Sequence, residues 1–472
     1  MSSFSKNTFP DSLSGIIFAL EGIDRSCVLL NGPTGCKFFH SAISDSQRIR
    51  QWEFDPLNFP EKLFFGQPRV PCTYLDSRDY VYGSEGKLSE AIAFLRDHVD
   101  FDLFAVVNSP GAALIGDDLQ RIVREALPGR PAVVMETPGY SSDLCHGYQN
   151  ALRVAFEQVG IASDGLTSPR VGSSVDGATE AVASLGSSTL TVSGAGTAAA
   201  DGAANAAISL GAPSVNVLGL SLCQLYHEGD AAELRRLMEL CGASVICMPG
   251  EDCSLESLGR VSDAALNVVV HPEYGLETAR FLEECCGTPF IVCPSPIGFS
   301  ATEELARKVC EHLGTDPHAA LEDSARARGR AYAYISRFNS LTGLPKGVRF
   351  SAEGTYSELL AYTSFLKDYL GMVPACLQAS TEVSDCWRAA LERYLADAGL
   401  SDVLGRDIER TESELVLASG ETIARVKLAG HPFVGLETAL PSMGYLDVVP
   451  KTHLGARGAL LMVEKVLNAM VY

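Results

Sequence analysis

The chain is poor in basic residues, and this narrows the class of partner that it can bind. Its 472 residues contain 37 Lys and Arg against 58 Asp and Glu, which gives a formal net charge of −21. A surface of that sign repels phosphate backbones and anionic lipid headgroups, which argues against nucleic acid or a membrane as the main partner. The charge is consistent with solubility, or with docking of a protein that has a basic face.

The sequence also lacks the segments that direct a chain into or across a membrane. No stretch approaches eighteen uninterrupted apolar residues, and the first 13 residues (MSSFSKNTFPDSL) lack the charged-then-apolar build of a signal peptide. We therefore expect a cytoplasmic protein.

Two common ligand-binding motifs are absent. There is no GxxxxGK[ST] sequence, so the chain is not expected to bind ATP through a P-loop. The 14 cysteines include no CxxC…CxxC pair, which disfavours a zinc ribbon or a ferredoxin-like insert. Most of these thiols are expected to pack as small apolar groups, so only position can identify a ligand among them.

Short apolar runs that alternate with amphipathic segments predict an α/β protein with mostly parallel sheets. A chain of this length is too long for one core. We expect three Rossmann-like domains, with boundaries at 1–165, 166–310 and 311–472. The predicted strands after the first are 103–107, 132–135, 214–218, 243–246, 266–270, 290–293, 348–350, 373–376 and 415–417.

A glycine-rich turn presents a cysteine directly after the first apolar run. Residues 27–30 (CVLL) read as a strand, and residues 31–40 (NGPTGCKFFH) follow it. Two glycines and a proline let the backbone bend sharply, and a thiolate at a helix start is favoured by the local dipole. The pattern suits a metal or cluster ligand at Cys36, and it equally suits an ordinary turn that holds a buried cysteine.

Four separated stretches, in order along nearly the whole chain, carry a family resemblance. They are Gly22-Ile23 leading to GPTGC at 32–36, LDSRDYVYGSEGKL at 75–88, LIGDDL at 114–119, and HLGARG at 453–458 with VEKVLN at 463–468. Together they resemble the nitrogenase component 1 family. That family includes nitrogenase catalytic subunits, cofactor-assembly scaffolds and dark protochlorophyllide reductase subunits. Asn31 stands where the family motif has a histidine.

The resemblance implies three stacked Rossmann-like domains and a partner subunit that is a paralogous or identical component 1 chain. It also implies an iron-sulfur cluster at the subunit interface and a separate ATP-hydrolysing iron protein as electron donor. The expected function is therefore the catalytic component of a nitrogenase-like reductase. The alternative is a noncatalytic assembly scaffold or partner subunit.

The resemblance implies that Cys36 is the central cysteine ligand of the cluster. It also implies that Gly35, in the same turn, is a cofactor-binding residue. Two further cysteines of the nitrogenase subunits are absent, and Pro110 occupies one of those positions. We therefore expect a [4Fe-4S] cluster shared with the partner rather than an eight-iron cluster. Cys72, in a loop before the second motif, either replaces a lost ligand or is an ordinary thiol. Asp11 is a weaker ligand candidate, and its alternative role is to cap the helix that follows.

A second site is expected between the middle and last domains. Alignment on residues 287–289 (GTP) puts His271 directly after a predicted strand, where the nitrogenase catalytic subunit holds its large cofactor with a cysteine. An imidazole there can ligate iron or donate a proton, and it can equally cap a helix or line an unrelated pocket. The cofactor's histidine position corresponds to the neighbourhood of Glu437. We expect His271 and Glu437 to be catalytic.

Because both familiar ligands of the large cofactor are missing, we do not expect a molybdenum cofactor or reduction of dinitrogen. The site is instead expected to take an organic substrate, a tetrapyrrole or a differently bound second cluster.

Overall fold

In this structure, a computed structural model, three β-sheets organise the described part of the chain. The structure describes residues 11–47, 70–136, 142–160, 212–380, 385–430, 432–441 and 448–470. The strand orders are β1-β2-β3, β5-β4-β6-β7 and β11-β10-β8-β9, and every pairing between these strands is parallel. The strands are β1 Ser26–Asn31, β2 Leu103–Asn108, β3 Ala132–Met135, β4 Ser214–Leu218, β5 Ser244–Cys247, β6 Leu266–Val269, β7 Phe290–Val292, β8 Arg349–Gly354, β9 Val373–Ala379, β10 Leu415–Ser419 and β11 Val434–Ala439.

Helices connect the strands as crossovers, as parallel pairing requires. They are α1 Ser12–Glu21, α2 Phe38–Gln47, α3 Asp79–Tyr82, α4 Glu85–His98, α5 Pro110–Ala113, α6 Leu119–Ala126, α7 Leu144–Ala155, α8 His227–Leu240, α9 Leu255–Gly259, α10 Pro272–Cys286, α11 Phe299–Leu313, α12 His318–Thr342, α13 Tyr356–Ser364, α14 Asp385–Asp397, α15 Gly420–Leu428 and α16 Gly455–Ala469. None of the helices in the described part of the chain has both the length and the apolar character that crossing a bilayer requires.

The predicted parallel α/β architecture is confirmed, and the predicted strands agree with the observed ones to within a few residues. Strands β1, β2 and β10 are buried along their whole length, which explains why the sequence shows them as apolar runs. Strand β11 was not predicted. It lies at the edge of its sheet, is only partly buried, and contains Gly435 and Glu437, so it has no apolar run.

The last helix does not stay with the last sheet. Helix α16 packs against α8, α11 and α12, so the C-terminal segment returns to the helices of the middle sheet. The boundaries proposed from the sequence, at 165 and 310, remain predictions.

A buried carboxyl group joins the C-terminal segment to α8. Asp230 Oδ1 accepts hydrogen bonds from Thr452 Oγ1 at 2.6 Å and from the backbone N–H groups of His453 at 2.9 Å and Leu454 at 3.3 Å. Burial raises the pKa of Asp230 to about 8, although these hydrogen bonds oppose the shift. The side chain is therefore a neutral acid at pH 7.

Two glycines allow α1 and α7 to pack with their backbones in contact. A Cβ added at Gly15 would overlap the carbonyl oxygen of Leu144, and one added at Gly147 would overlap the carbonyl oxygen of Ser12. Because the overlapped atoms are backbone atoms, no side-chain rotation can make room. The close approach of these helices therefore depends on glycine.

We predict that Gly15→Ala lowers the free energy of unfolding by about 1–3 kcal/mol, since the added methyl group forces α1 away from α7. The matched control is Gly86→Ala in α4, where an added Cβ meets no described atom within 4 Å. That change should raise stability by up to about 1 kcal/mol, because alanine favours the helix. Urea denaturation followed by circular dichroism measures both. Equal effects of the two substitutions would contradict the packing argument.

We also predict that Asp230 makes stability fall as pH rises. Its folded pKa of about 8 lies above the ordinary value of 3.8, so the folded state binds more protons than the unfolded state between these values. Between pH 5 and pH 9 this group should cost roughly 4 kcal/mol of stability. Asp230→Asn keeps the acceptor oxygen and removes the titration. Urea denaturation of both proteins should therefore show a shallower fall in the variant, and identical slopes would refute the assignment.

Candidate functional site

The predicted turn follows β1 and presents Cys36 near the protein surface. The chain passes through Gly32 and Pro33 into one turn of 3₁₀ helix, Thr34–Lys37, and then enters α2. Cys36 is half-buried, and Gly35 beside it is exposed with no described atom within 4 Å of an added Cβ. No described residue therefore occupies the space directly in front of Gly35.

The side chain of Asn31 holds this turn from behind. Its Oδ1 accepts from Thr73 Oγ1 at 2.9 Å, and its Nδ2 donates to Ser84 Oγ at 3.1 Å and to Asn108 Oδ1 at 2.9 Å. Ser84 in turn donates from its backbone N–H and its Oγ to Asp117 Oδ2, at 2.7 and 2.6 Å. Ser84 lies in the second sequence motif and Asp117 in the third. The motifs that carried the resemblance therefore meet behind the Cys36 turn.

Cys72 belongs to the backbone pairing along the free edge of β1. The N–H of Leu30 donates to the carbonyl of Pro71 at 2.9 Å, and the N–H of Thr73 donates to the carbonyl of Leu30 at 3.0 Å. Cys72 lies between these bonds, is 3% exposed and is part of the hydrophobic core. This environment gives Cys72 a packing role, and its role as a ligand remains a prediction.

Asp11 has the capping role that was the alternative to ligation. Its Oδ1 accepts from the backbone N–H of Ser14 at 2.8 Å, at the start of α1. Within the described ranges, no three Cys, His, Asp or Glu side chains converge in an arrangement that could hold a metal ion. The described residues of one chain therefore do not supply a complete cluster site.

Large apolar side chains are exposed around Cys36, and we call them the Cys36 face. Tyr80 packs against α5, because an added Cβ at Gly111 would lie 3.1 Å from its hydroxyl oxygen. Burial and the nearby Cys36 thiol raise the pKa of Tyr80, so the two residues are neighbours. The Cys36 face consists of Phe38, Tyr80, Val81, Tyr82 and Leu114. Several large exposed apolar side chains around one turn are a feature of protein interfaces.

A cavity of about 580 Å³ lies between the middle and last sheets. It opens at the carboxyl ends of their strands, where parallel sheets bind ligands. The lining residues that follow or end strands include His271 after β6, Gly354 of β8, Ala379 of β9 and Ser419 of β10. Phe39, three residues after Cys36, also lines the cavity, so α2 connects it to the Cys36 turn.

His271 has the position that the sequence predicted, in the wall of this cavity. Its Nδ1 lies 2.8 Å from Ser295 Oγ, and burial lowers its pKa, so the imidazole is neutral at pH 7. Although His271 precedes α10, its side chain makes no capping hydrogen bond. The helix-capping alternative is therefore excluded.

Glu437 lies on β11 and does not line the cavity, whose lining from this strand consists of Thr438 and Ala439. A catalytic role for Glu437 would need a ligand outside this cavity, and it remains a prediction.

The cavity wall holds two neutral acid-base groups besides His271. One is Asp230, the protonated acid that binds the C-terminal segment. The other is His453, whose pKa burial and the neighbouring Lys465 and Lys451 hold well below its usual range. His453 could be noted in the sequence because it lies in the final motif. Asp230 lies in no motif, so the sequence does not mark it. Ionisable side chains also line the wall, namely Glu353, Glu358, Asp407, Glu409, Glu421, Arg406 and Arg425.

Comparison with known proteins identifies a family. The model of the nitrogenase component 1 type oxidoreductases matches residues 12–471. A light-independent protochlorophyllide reductase subunit of Synechococcus sp. (strain CC9605) is 30% identical over 218 residues, or 46% of this chain and 40% of that subunit. The corresponding subunit of Methylocella silvestris is 31% identical over 209 residues, or 43% of this chain and 40% of the subunit. The chain thus aligns with less than half the length of these relatives.

A solved structure described as nitrogenase Cp1 at pH 6.5 has the same fold. The TM-score is 0.70 at 16% identity, and the alignment covers 97% of this chain and 91% of that one. The expected fold, an α/β protein like nitrogenase component 1 with mostly parallel sheets, is therefore confirmed. Together with the match over residues 12–471, this establishes that the chain belongs to the family of nitrogenase component 1 type oxidoreductases.

Proposed function

We propose that the chain is the catalytic-component subunit of a nitrogenase-like, ATP-dependent reductase that receives electrons from a separate iron protein. The observation that carries this proposal is the position of Cys36. Its thiol lies in an open turn within the Cys36 face, and α2, which begins two residues later, contributes Phe39 to the cavity wall. An electron entering at the surface would therefore have a short protein path to the cavity.

The described residues of this chain fit an iron-sulfur cluster only if further ligands come from elsewhere, and a second chain is the source that we propose. Cys36 offers one thiolate beside the open space at Gly35, and the described residues contain no convergent set of three ligands. We propose a [4Fe-4S] cluster whose other ligands come from a component 1 partner, either a second copy or a paralogue. Cys72 would join this set only by leaving its pairing with Leu30. When bound, such a cluster supplies low-potential electrons one at a time.

The chain's own residues then have three tasks. The Cys36 face excludes water from the turn when the partner covers it. The cavity binds an organic substrate, and the protochlorophyllide reductase subunits among the relatives make a tetrapyrrole the first candidate. Neutral His271 and Asp230 hold protons at the cavity wall, where reduction consumes them.

The second candidate function is a scaffold that carries a cluster without turnover. The observation that favours it is the incomplete ligand set, since a chain with one well-placed thiolate can release a cluster readily. The two functions differ in a measurable way. A reductase couples ATP hydrolysis by an iron protein to substrate reduction, whereas a scaffold transfers its iron to a metal-free partner.

We predict that Cys36→Ala removes cluster iron from the assembled complex. The chain would be purified without oxygen together with its component 1 partner, and iron and the electron paramagnetic resonance signal would be measured. The matched control is Cys285→Ala on α10, which should leave both unchanged, because Cys285 is a half-exposed helix residue outside the turn. Retention of full iron by Cys36→Ala would overturn the proposed site.

We also predict that Leu114→Asp weakens association with the component 1 partner at least tenfold, since it puts a charge into the Cys36 face. Leu428→Asp is the matched control, because both leucines are 88% exposed and Leu428 lies on α15 in the last sheet's region. Sedimentation velocity over a range of concentrations measures both. If the two variants dissociate equally, the Cys36 face is not the interface.

A further inference from the structure

Behind His271 lies an unbroken chain of buried polar groups that leads away from the cavity. His271 Nδ1 is 2.8 Å from Ser295 Oγ, and Ser295 Oγ is 3.2 Å from Ser357 Oγ. Ser357 Oγ donates to Glu273 Oε2 at 2.6 Å. All four residues are at most 3% exposed. The chain crosses between the middle and last sheets, because Ser357 lies in α13 and the other three residues lie around β6, α10 and β7.

We propose that Glu273, Ser357, Ser295 and His271 form a relay that delivers single protons from Glu273 to a substrate in the cavity. The proposal rests on the reductase function proposed above and adds to it the source and path of the protons.

Each step of the relay balances. In the loaded state Glu273 is protonated, each hydroxyl donates toward His271, and the imidazole carries its proton on Nε2. His271 Nε2 gives that proton to the substrate while its Nδ1 receives one from Ser295. Ser295 is refilled by Ser357, and Ser357 by Glu273. The substrate gains one proton and Glu273 becomes a carboxylate. The chain is reset when His271 Nε2 takes up a solvent proton from the cavity while its Nδ1 proton passes back through Ser295 and Ser357 to the Glu273 carboxylate.

The environment of the two end groups supports this direction of transfer. Burial raises the pKa of Glu273 to about 7, against the hydrogen bonds from the N–H and hydroxyl groups of Ser357, so both of its forms are accessible near neutrality. Burial lowers the pKa of His271, which disfavours an imidazolium. A relay that exchanges one neutral tautomer for the other never forms that cation.

Other ionisable groups bear on the pH dependence of the relay. Glu358, next to Ser357 on α13, raises the pKa of both Glu273 and His271. On α7, which packs against α10, Cys145 senses the charge of Glu273, and the pKa of its own buried thiol is raised well above the usual value. The buried thiol is therefore neutral near pH 7, and Glu358 is the described neighbour that acts on both ends of the relay.

The geometry at the far end suits a carboxyl group that changes charge. The backbone N–H of Ser357 donates to Glu273 Oε1 at 2.8 Å, in the first turn of α13. A helix N-terminus stabilises negative charge, so the carboxylate left after proton delivery is accommodated without moving the backbone. Among the described residues, His271 Nε2 has no hydrogen-bond partner, which leaves it available to a ligand in the cavity.

The test uses the isolated 472-residue chain, so it requires neither iron nor a partner. Histidine labelled with ¹⁵N reports the tautomer of each ring by nuclear magnetic resonance. His271 is identified by the signal that is lost in His271→Gln and shifted in Ser295→Ala. Between pH 5.5 and 8.5 we expect His271 to change from the Nε2–H to the Nδ1–H tautomer, with a midpoint near the Glu273 pKa of about 7.

Two variants and a control distinguish the relay from a purely structural network. Glu273→Gln should hold His271 as Nε2–H at every pH, and Ser357→Ala should abolish the pH-dependent change. Ser351→Ala, which alters a fully buried serine on β8 outside the chain, should behave like the wild type. A change that persists in Ser357→Ala, or protonation of His271 to an imidazolium, would overturn the relay.

The assembled enzyme provides the second readout. Glu273→Gln should lower kcat at least tenfold with KM unchanged, because substrate binding is intact and proton delivery is not. A tautomer change in the isolated chain without any reductase activity would overturn the proposed function and leave the proton path in place. Reductase activity without a tautomer change would overturn the proton path and leave the proposed function in place.

Discussion

The geometry at Cys36 depends on one buried amide group. Asn31 ends β1, and its side chain binds Thr73, Ser84 and Asn108, which come from three different segments. An unmatched buried polar group costs about 1–3 kcal/mol, so the turn and its supporting segments are stable only together. Gly32 completes the constraint, because an added Cβ there would overlap the side chain of Ser109. The end of β2 can therefore lie directly against the turn.

Buried polar groups that are hydrogen-bonded to each other also hold the middle and last parts of the molecule together. Polar groups at their junction are buried and paired rather than solvated: Asp230 with the C-terminal segment, and Glu273 with the first turn of α13. Burial raises the pKa of both carboxyl groups toward neutrality. The junction that forms the cavity thus also supplies acids that exchange protons near pH 7, so packing and chemistry have a common physical origin.

Much of the fold could be read from the sequence, whereas only part of the site could. Fully buried parallel strands such as β2 and β10 leave runs of apolar residues, and the turn at Cys36 leaves glycines and a proline. Cys72 was read as a loop cysteine because the sequence does not reveal that residues 71–73 pair with β1. Ser295 and Ser357 could not be recognised in the sequence. They are 62 residues apart in the chain, and only the fold brings their hydroxyl groups together.

Electrons and protons would reach the cavity through different elements of this fold. The Cys36 turn leads to it through α2, which contributes Phe39, whereas the chain from Glu273 enters through His271 at the end of β6. The proton path consists of hydroxyl groups, which suits protons because they move along hydrogen bonds. The electron path passes an apolar side chain, which suits electrons because they do not require hydrogen bonds. A reduction that adds one electron and one proton at a time needs both supplies at one substrate. The carboxyl ends of parallel strands meet at this cavity, so the fold can bring both supplies there without either path crossing a sheet.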